Sequence, residues 1–183
     1  MTAGLVRYHH TGGFHFVTFS CHGRLPYLGS VAARDLFERS LEAMRVRYEF
    51  VVSGYVIMPQ HVHLLLSEPK QELLAKALQA VKLSVARRRP EVPFWLARYH
   101  DFNVYTPEKR EEKLHYMHCN PVRRGLAERP EEWRWSSFNH YATGFRGVVE
   151  IESEWTASRR DRAAVGTHVS EARRGAPGVV AES

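Results

Sequence analysis

Aspartate is scarce in this 183-residue chain: Asp35, Asp101 and Asp161 are the only three. A site that bridges paired metal ions needs clustered acids, and the glutamates fall mostly on helix surfaces and ends, so that chemistry is disfavoured. Cysteine is scarcer still, with Cys21 and Cys119 each beside a histidine, His22 and His118. Their spacing matches no zinc-finger pattern, and no secretory signal is read, so a disulfide is not expected and the thiols should stay reduced. A zinc cluster shared between chains is the minor alternative. No apolar run approaches the length of a membrane span, and no basic amphipathic helix at either end offers an anchor. A glycine-lysine phosphate loop is also missing, which argues against nucleotide-driven chemistry. These absences together predict a cytoplasmic protein with no membrane partner.

What the chain has in excess is positive charge: 26 Lys and Arg against 20 acidic residues, a net charge of +6 and a pI near 9.5. That balance favours a polyanionic partner, nucleic acid first. A hydrophobic fraction of 44% supports a folded core. The composition predicts one domain over residues 1–155, after a flexible lead-in ending at Thr11-Gly12-Gly13. From about residue 156 Arg, Ala, Gly, Glu and Ser dominate, which predicts a disordered basic tail over 156–183.

The aromatic and β-branched run Phe14 to Cys21 predicts a central strand, apolar on both faces. Ser30 caps a helix to about Tyr48, with Ala33, Phe37, Leu41 and Met44 on its buried stripe. Phe50 to Met58 predicts a second strand, and Pro59-Gln60 a tight reversal into a third, antiparallel one. A helix over Lys70 to Arg89 follows, buried along Leu74, Leu78, Val81 and Val85; Lys82 and Arg87-Arg88-Arg89 lie off its stripe or past its end as candidate phosphate contacts. Tyr99 to Tyr105 predicts a fourth strand. The order strand, helix, strand, strand, helix, strand is that of an α+β, ferredoxin-like split βαβ domain with an antiparallel sheet.

The third strand carries the most chemical stretch, Met58-Pro-Gln-His61-Val-His63-Leu-Leu-Leu66. Strand alternation turns Val62, Leu64 and Leu66 to one face and His61, His63 and Leu65 to the other. Two imidazoles side by side make half of a divalent-metal site, and the third ligand must come from elsewhere. A merely half-exposed strand is the plain alternative.

Thr106-Pro107-Glu108 opens a third helix with a capping threonine, proline at the first position and an acid in the first turn. It is expected to stop at about Asn120, before Pro121. Leu114 and Met117 take one side, while Lys113, Tyr116 and Asn120 cluster on the other. Beyond it lie the basic turn Arg123-Arg124-Gly125 and the segment Trp133-Arg-Trp-Ser-Ser-Phe138, read as a small strand or a packed loop whose tryptophans cover the core.

The histidine stretch, followed some fifty residues on by Lys113-Leu-His-Tyr-Met-His-Cys-Asn-Pro-Val-Arg-Arg-Gly-Leu126, resembles the REP-associated tyrosine transposases, a branch of the single-tyrosine His-hydrophobe-His (HUH) transposases. The opening HFVTFSCHGR and the WRWSSF segment are similar to that family too, so the resemblance covers roughly residues 8 to 145. It implies that His61 and His63 bind a divalent cation, Mg²⁺ or Mn²⁺, that Tyr116 is the nucleophile, and that Asn120 completes the metal site. The helix after the fourth strand becomes an added catalytic helix, and the tail a C-terminal extension. The partner implied is a single-stranded DNA hairpin formed from an imperfect palindrome, the setting a bacterial nucleoid, and the oligomeric state monomer or homodimer.

Tyrosine attack on a backbone phosphate leaves a 5′-phosphotyrosine and a free 3′-OH, which can later reverse the attack, so strands are exchanged rather than hydrolysed. A free phenol is only about 0.1% ionised at neutral pH, so the metal, and Lys113 nearby, would favour the reactive form. Lys113, Arg123 and Arg124 join Lys82 and Arg87 to Arg89 as candidate DNA contacts. The alternative is a hairpin-binding regulatory or structural protein that does not cleave. An RNA-binding module ranks last, because the glycine-aromatic signature of an RNA-reading sheet is missing.

Overall fold

A computed structural model describes residues 13–162. Its first unit, ending at Ile151, is an α+β fold. Four strands, β1 (Phe14–Ser20), β2 (Val52–Ile57), β3 (His61–Ser67) and β4 (His100–Val104), form one antiparallel sheet in the order β2-β3-β1-β4. β1 is central, as its aromatic run requires, and it sets Thr18 opposite His63 on one side and opposite His100 on the other.

Helices α1 (Val31–Tyr48) and α2 (Leu74–Ala86) pack on one another. They cover the face that carries Phe19, which meets Phe37 of α1 and Lys82 of α2. Val62 and Leu64 are fully buried on that face, each contributing about 1.5–3 kcal/mol by leaving water. Ser30 caps α1 by accepting the Ala33 N–H. α2 is shorter than the expected Lys70 to Arg89 and matches the extent of its hydrophobic stripe. It starts at Leu74, where the buried stripe starts, and ends at Ala86, so Lys70 precedes it and Arg87 to Arg89 form a turn beyond it.

The opposite face receives α3 (Pro107–Arg123), capped as expected by Thr106. α3 does not stop before Pro121. A proline removes one N–H and crowds the carbonyl four residues back, but the last turn still closes around Pro121 through Arg124 N–H to Asn120 C=O and Leu126 N–H to Pro121 C=O. Gly54 of β2 lets this helix come close, because a Cβ there would overlap Leu114 Cδ2 and meet Met117 Cε at 2.9 Å. Ser137 holds the contact from the other side: its hydroxyl pairs with His118 of α3 at 2.8 Å and accepts the Tyr55 N–H of β2 at 3.1 Å.

Trp133 to Ser137 is a packed loop along the edge of β2, bonded through Ile57 N–H to Trp135 C=O and Ser137 N–H to Tyr55 C=O. Trp133 and Trp135 are buried, and the Arg34 guanidinium lies 3.8 Å from the Trp135 ring centroid. A short helix α4 (Phe138–Thr143) follows.

The second unit begins at Glu152, four residues before the expected boundary. Residues 154–162 are helical, which corrects the expectation of disorder from 156 for those positions. Residues 1–12 and 163–183, which hold the expected lead-in and the rest of the tail, lie outside the described residues. Among the described residues no helix is long and apolar enough to cross a membrane.

Candidate functional site

The alternation of β3 puts His61 and His63 on the face that α3 covers. Their Nε2 atoms lie 3.2 Å apart, and Asn120 Nδ2 of α3 lies 3.0 Å from His63 Nε2. Thr18 Oγ1 sits 2.7 Å from His63 Nδ1. With Nδ1–H donated to Thr18, the Nε2 lone pair of His63 faces His61 and Asn120. Phe16 stacks on the His63 ring, with centroids 5.4 Å apart and planes 14° apart. The Tyr116 ring stands edge-on to His63 at 5.4 Å and to Phe16 at 6.1 Å. Tyr116 is exposed while Asn120, one turn later, is buried.

Burial pushes the His61 imidazole down to about 4, helped by Arg124 and Arg24. Burial also takes His63 down to about 3, with His61 and Arg124 adding to it. Both rings are therefore neutral at pH 7, the form that ligates metals. Two ligands held at about 2.1 Å from a cation and about a right angle apart lie about 3.0 Å from each other. The separations here match that spacing. Asn120 would offer its Oδ1 after a half-turn of the amide, whose two ends are nearly indistinguishable in shape. Among the described residues no three His, Cys, Asp or Glu side chains gather as a metal shell, so the third donor available is this amide.

Thr18, His61, His63 and Tyr116 border an open cavity of about 370 Å³, whose walls also carry Gln60, Arg24, Arg98, Arg124 and His100. The three arginines come from the turn after β1, the segment before β4 and the end of α3. Their guanidiniums make no ion pair among the described residues, so their charge faces the cavity uncompensated. Arg24 is held there by a left-handed backbone, φ 56°, directly after Gly23 at φ 61°.

Of the candidate DNA contacts, only Arg124 lines the cavity. Arg123 lies 5.8 Å from the Tyr116 ring centroid. Lys113 sits over the Phe16 and Phe102 rings, at 5.2 and 4.8 Å. Lys82 bonds the Leu96 carbonyl at 2.7 Å. At the far end of α2, Arg88 bonds Ser84 Oγ and Arg89 pairs with Glu91, and neither they nor Arg87 border the cavity. Arg24, Arg98, Gln60 and His100 also line the cavity but are not singled out as site residues by the sequence. A glycine-arginine pair directly after a strand was the available signal for Arg24. Nothing local marks His100, which reaches the site only through the β1–β4 register. Cys21 is buried, and burial pushes its thiol up to about 11.

No family model matches the chain. It is 21% identical over 147 residues to the REP-associated tyrosine transposase of Escherichia coli, spanning 80% of this chain and 87% of that one. It is 25% identical over 146 residues to a Haemophilus influenzae protein carrying the same family name, spanning 70% of this chain and 81% of that one. Its fold is similar to a solved REP-associated tyrosine transposase bound to a REP hairpin, with a TM-score of 0.70 over 82% of this chain and 92% of that one, at 18% identity.

Proposed function

Because this chain belongs to the REP-associated tyrosine transposase family, we propose that it is a metal-dependent single-stranded DNA endonuclease and strand transferase acting beside DNA hairpins of the REP type. One observation carries the reading: His61, His63 and Asn120 bring three donors together, and the Tyr116 ring, edge-on to His63, lines the same cavity as Arg24, Arg98 and Arg124.

In this reading His61, His63 and Asn120 hold Mg²⁺ or Mn²⁺. A cation held there would supply Lewis-acid polarisation of the scissile phosphate and would favour the ionised phenol. Arg24, Arg98 and Arg124 take the phosphate backbone in the cavity and offset its charge. Tyr116 Oη attacks the scissile phosphorus, the P–O3′ bond breaks, and the chain carries a 5′-phosphotyrosine beside a free 3′-OH. Attack by a 3′-OH on the phosphotyrosine restores a phosphodiester and releases Tyr116, so no nucleotide is consumed.

The strand and helix order, with the sheet order β2-β3-β1-β4, supports the ferredoxin-like description of this domain. Residues 1–155 are the catalytic domain in this proposal, 156–183 a basic extension, and the working form a monomer or homodimer in the bacterial nucleoid.

The test is to incubate the protein with Mn²⁺ or Mg²⁺ and end-labelled single-stranded hairpins, and to look for a covalent adduct. The adduct should form, vanish with chelation, and be lost in Tyr116→Phe with hairpin affinity retained. Binding without an adduct across a hairpin library would instead make the chain a non-cleaving hairpin binder.

A further inference from the structure

Cleavage leaves an oxygen on the departing 3′ end that needs a proton, and the proposed machinery contains no group to provide one. We propose that His100 is the proton donor to the leaving 3′-oxygen, and the acceptor of that proton when strands are rejoined. The inference rests on the transposase reading and adds a catalytic residue to it.

His100 opens β4 and faces the same side of the sheet as Thr18, its register partner, and hence as His63. It is exposed and borders the cavity with Tyr116. An in-line displacement keeps the attacking and leaving oxygens on opposite sides of the phosphorus. Tyr116 approaches from α3, whereas His100 rises from the edge strand, a different wall of the same cavity.

The other groups on the walls do not suit the task. Arg24, Arg98 and Arg124 carry guanidiniums, side chains that bind phosphate as cations and do not serve as proton donors in catalysis. The Nε2 atoms of His61 and His63 face each other and Asn120, as the proposed ligands. Thr18 is engaged with His63, and Gln60 does not titrate. Lys113 lies outside the cavity wall, against Phe16 and Phe102. Asp101, next along β4, points to the other face and pairs with His15 at 2.9 Å. The His100 imidazole has no hydrogen-bond partner among the described residues, so it is available to substrate.

The proton count closes. In cleavage the Tyr116 phenolic proton passes to water, the P–Oη bond forms, the P–O3′ bond breaks, and the His100 imidazolium transfers its proton to O3′. Rejoining runs the same steps backward, with neutral His100 taking the proton from the attacking 3′-OH.

A sulfur substitution isolates this role. A hairpin whose scissile 3′-oxygen is replaced by sulfur expels a thiolate, whose conjugate acid titrates near 8.5 and which departs without a proton donor. The full-length protein with Mn²⁺ should form adduct with both substrates. His100→Gln should slow adduct formation about 100-fold on the oxygen substrate and leave the sulfur substrate within about threefold of wild type, with hairpin affinity unchanged. Equal slowing on both substrates, or on neither, overturns the role of His100. Wild-type protein that forms adduct with neither substrate overturns the transposase reading itself and this inference with it, a result distinct from a loss confined to the variant.

Discussion

Gly54→Ala tests how the site is assembled, because the substitution touches none of the groups in it. The new methyl group would overlap Leu114 Cδ2, meet Met117 Cε at 2.9 Å and Ser137 Oγ at 3.2 Å. Ordinary carbon contacts begin near 3.5 Å, so the α3 side chains must rotate or the helix must retreat by the order of 1 Å. Met117 is fully buried between α3 and the sheet and has little room to turn. Overpacking of this kind costs about 1–3 kcal/mol, which for a chain of this size lowers Tm by about 3–10 °C. The same retreat carries Asn120 and Tyr116 away from His63, and a shift of about 1 Å in a reacting constellation costs roughly 100-fold in rate. The expected result is a folded protein with a lower Tm, weaker Mn²⁺ binding and slower adduct formation, with hairpin affinity reduced much less. Calorimetry, Mn²⁺ titration and the end-labelled hairpin assay read these separately. Gly54→Val should exaggerate every loss. Wild-type stability together with wild-type cleavage in Gly54→Ala would refute the argument that close approach of α3 to β2 builds the site.

Thr18→Val removes the hydroxyl at His63 Nδ1 and should weaken Mn²⁺ binding about 10-fold or more; an unchanged Mn²⁺ titration would show that Thr18 does not orient the ring. Replacing Arg24, Arg98 or Arg124 by Gln should lower hairpin affinity and reduce the slope of log affinity against log salt by about 0.7 for each phosphate no longer neutralised, and a slope equal to wild type for all three would remove the arginines from the DNA path. Burial lowers His15, but its bond to Asp101 and the charges of Asp101 and Glu68 outweigh that and leave it raised. Its stabilising contribution is therefore complete below about pH 6.5 and is lost as pH rises through the folded value. His118 is lowered to about 4, by burial first and then by His115. The unfolded chain binds that proton near 6.5, so stability falls again as pH drops from there toward 4. His61 and His63, lowered to about 4 and 3, act in the same direction as His118, so urea denaturation should show stability falling steeply from pH 6.5 toward 4. The stability difference between wild type and His15→Gln should shrink as pH rises above 6.5, and a difference that grows over that range would contradict the His15 assignment.

Local patterns carried much of this molecule in plain view. The period-two alternation of His61-Val62-His63-Leu64 is a property of the strand alone, so which face takes the imidazoles was legible. The Thr106-Pro107 cap and the four-residue spacing of Tyr116 and Asn120 are likewise local, as was the strand and helix order. The ends of α2 and α3 were less so. α2 was expected over Lys70 to Arg89, past both ends of its hydrophobic stripe, where the flanking polar residues form turns instead, and Pro121 sits inside a last turn that closes around it. What only the tertiary structure decided is where the elements meet. His63 and Asn120 are 57 residues apart in the chain and 3.0 Å apart in space, because Gly54 and Ser137 let α3 settle on β2. His100 faces the cavity because β4 pairs with β1 in one register rather than its neighbour, and a slip of one residue would turn it to the other face. Sequence periodicity encodes the facing of each element on its own, whereas the distance between two elements depends on the side chains packed between them, and those come from segments far apart in the chain.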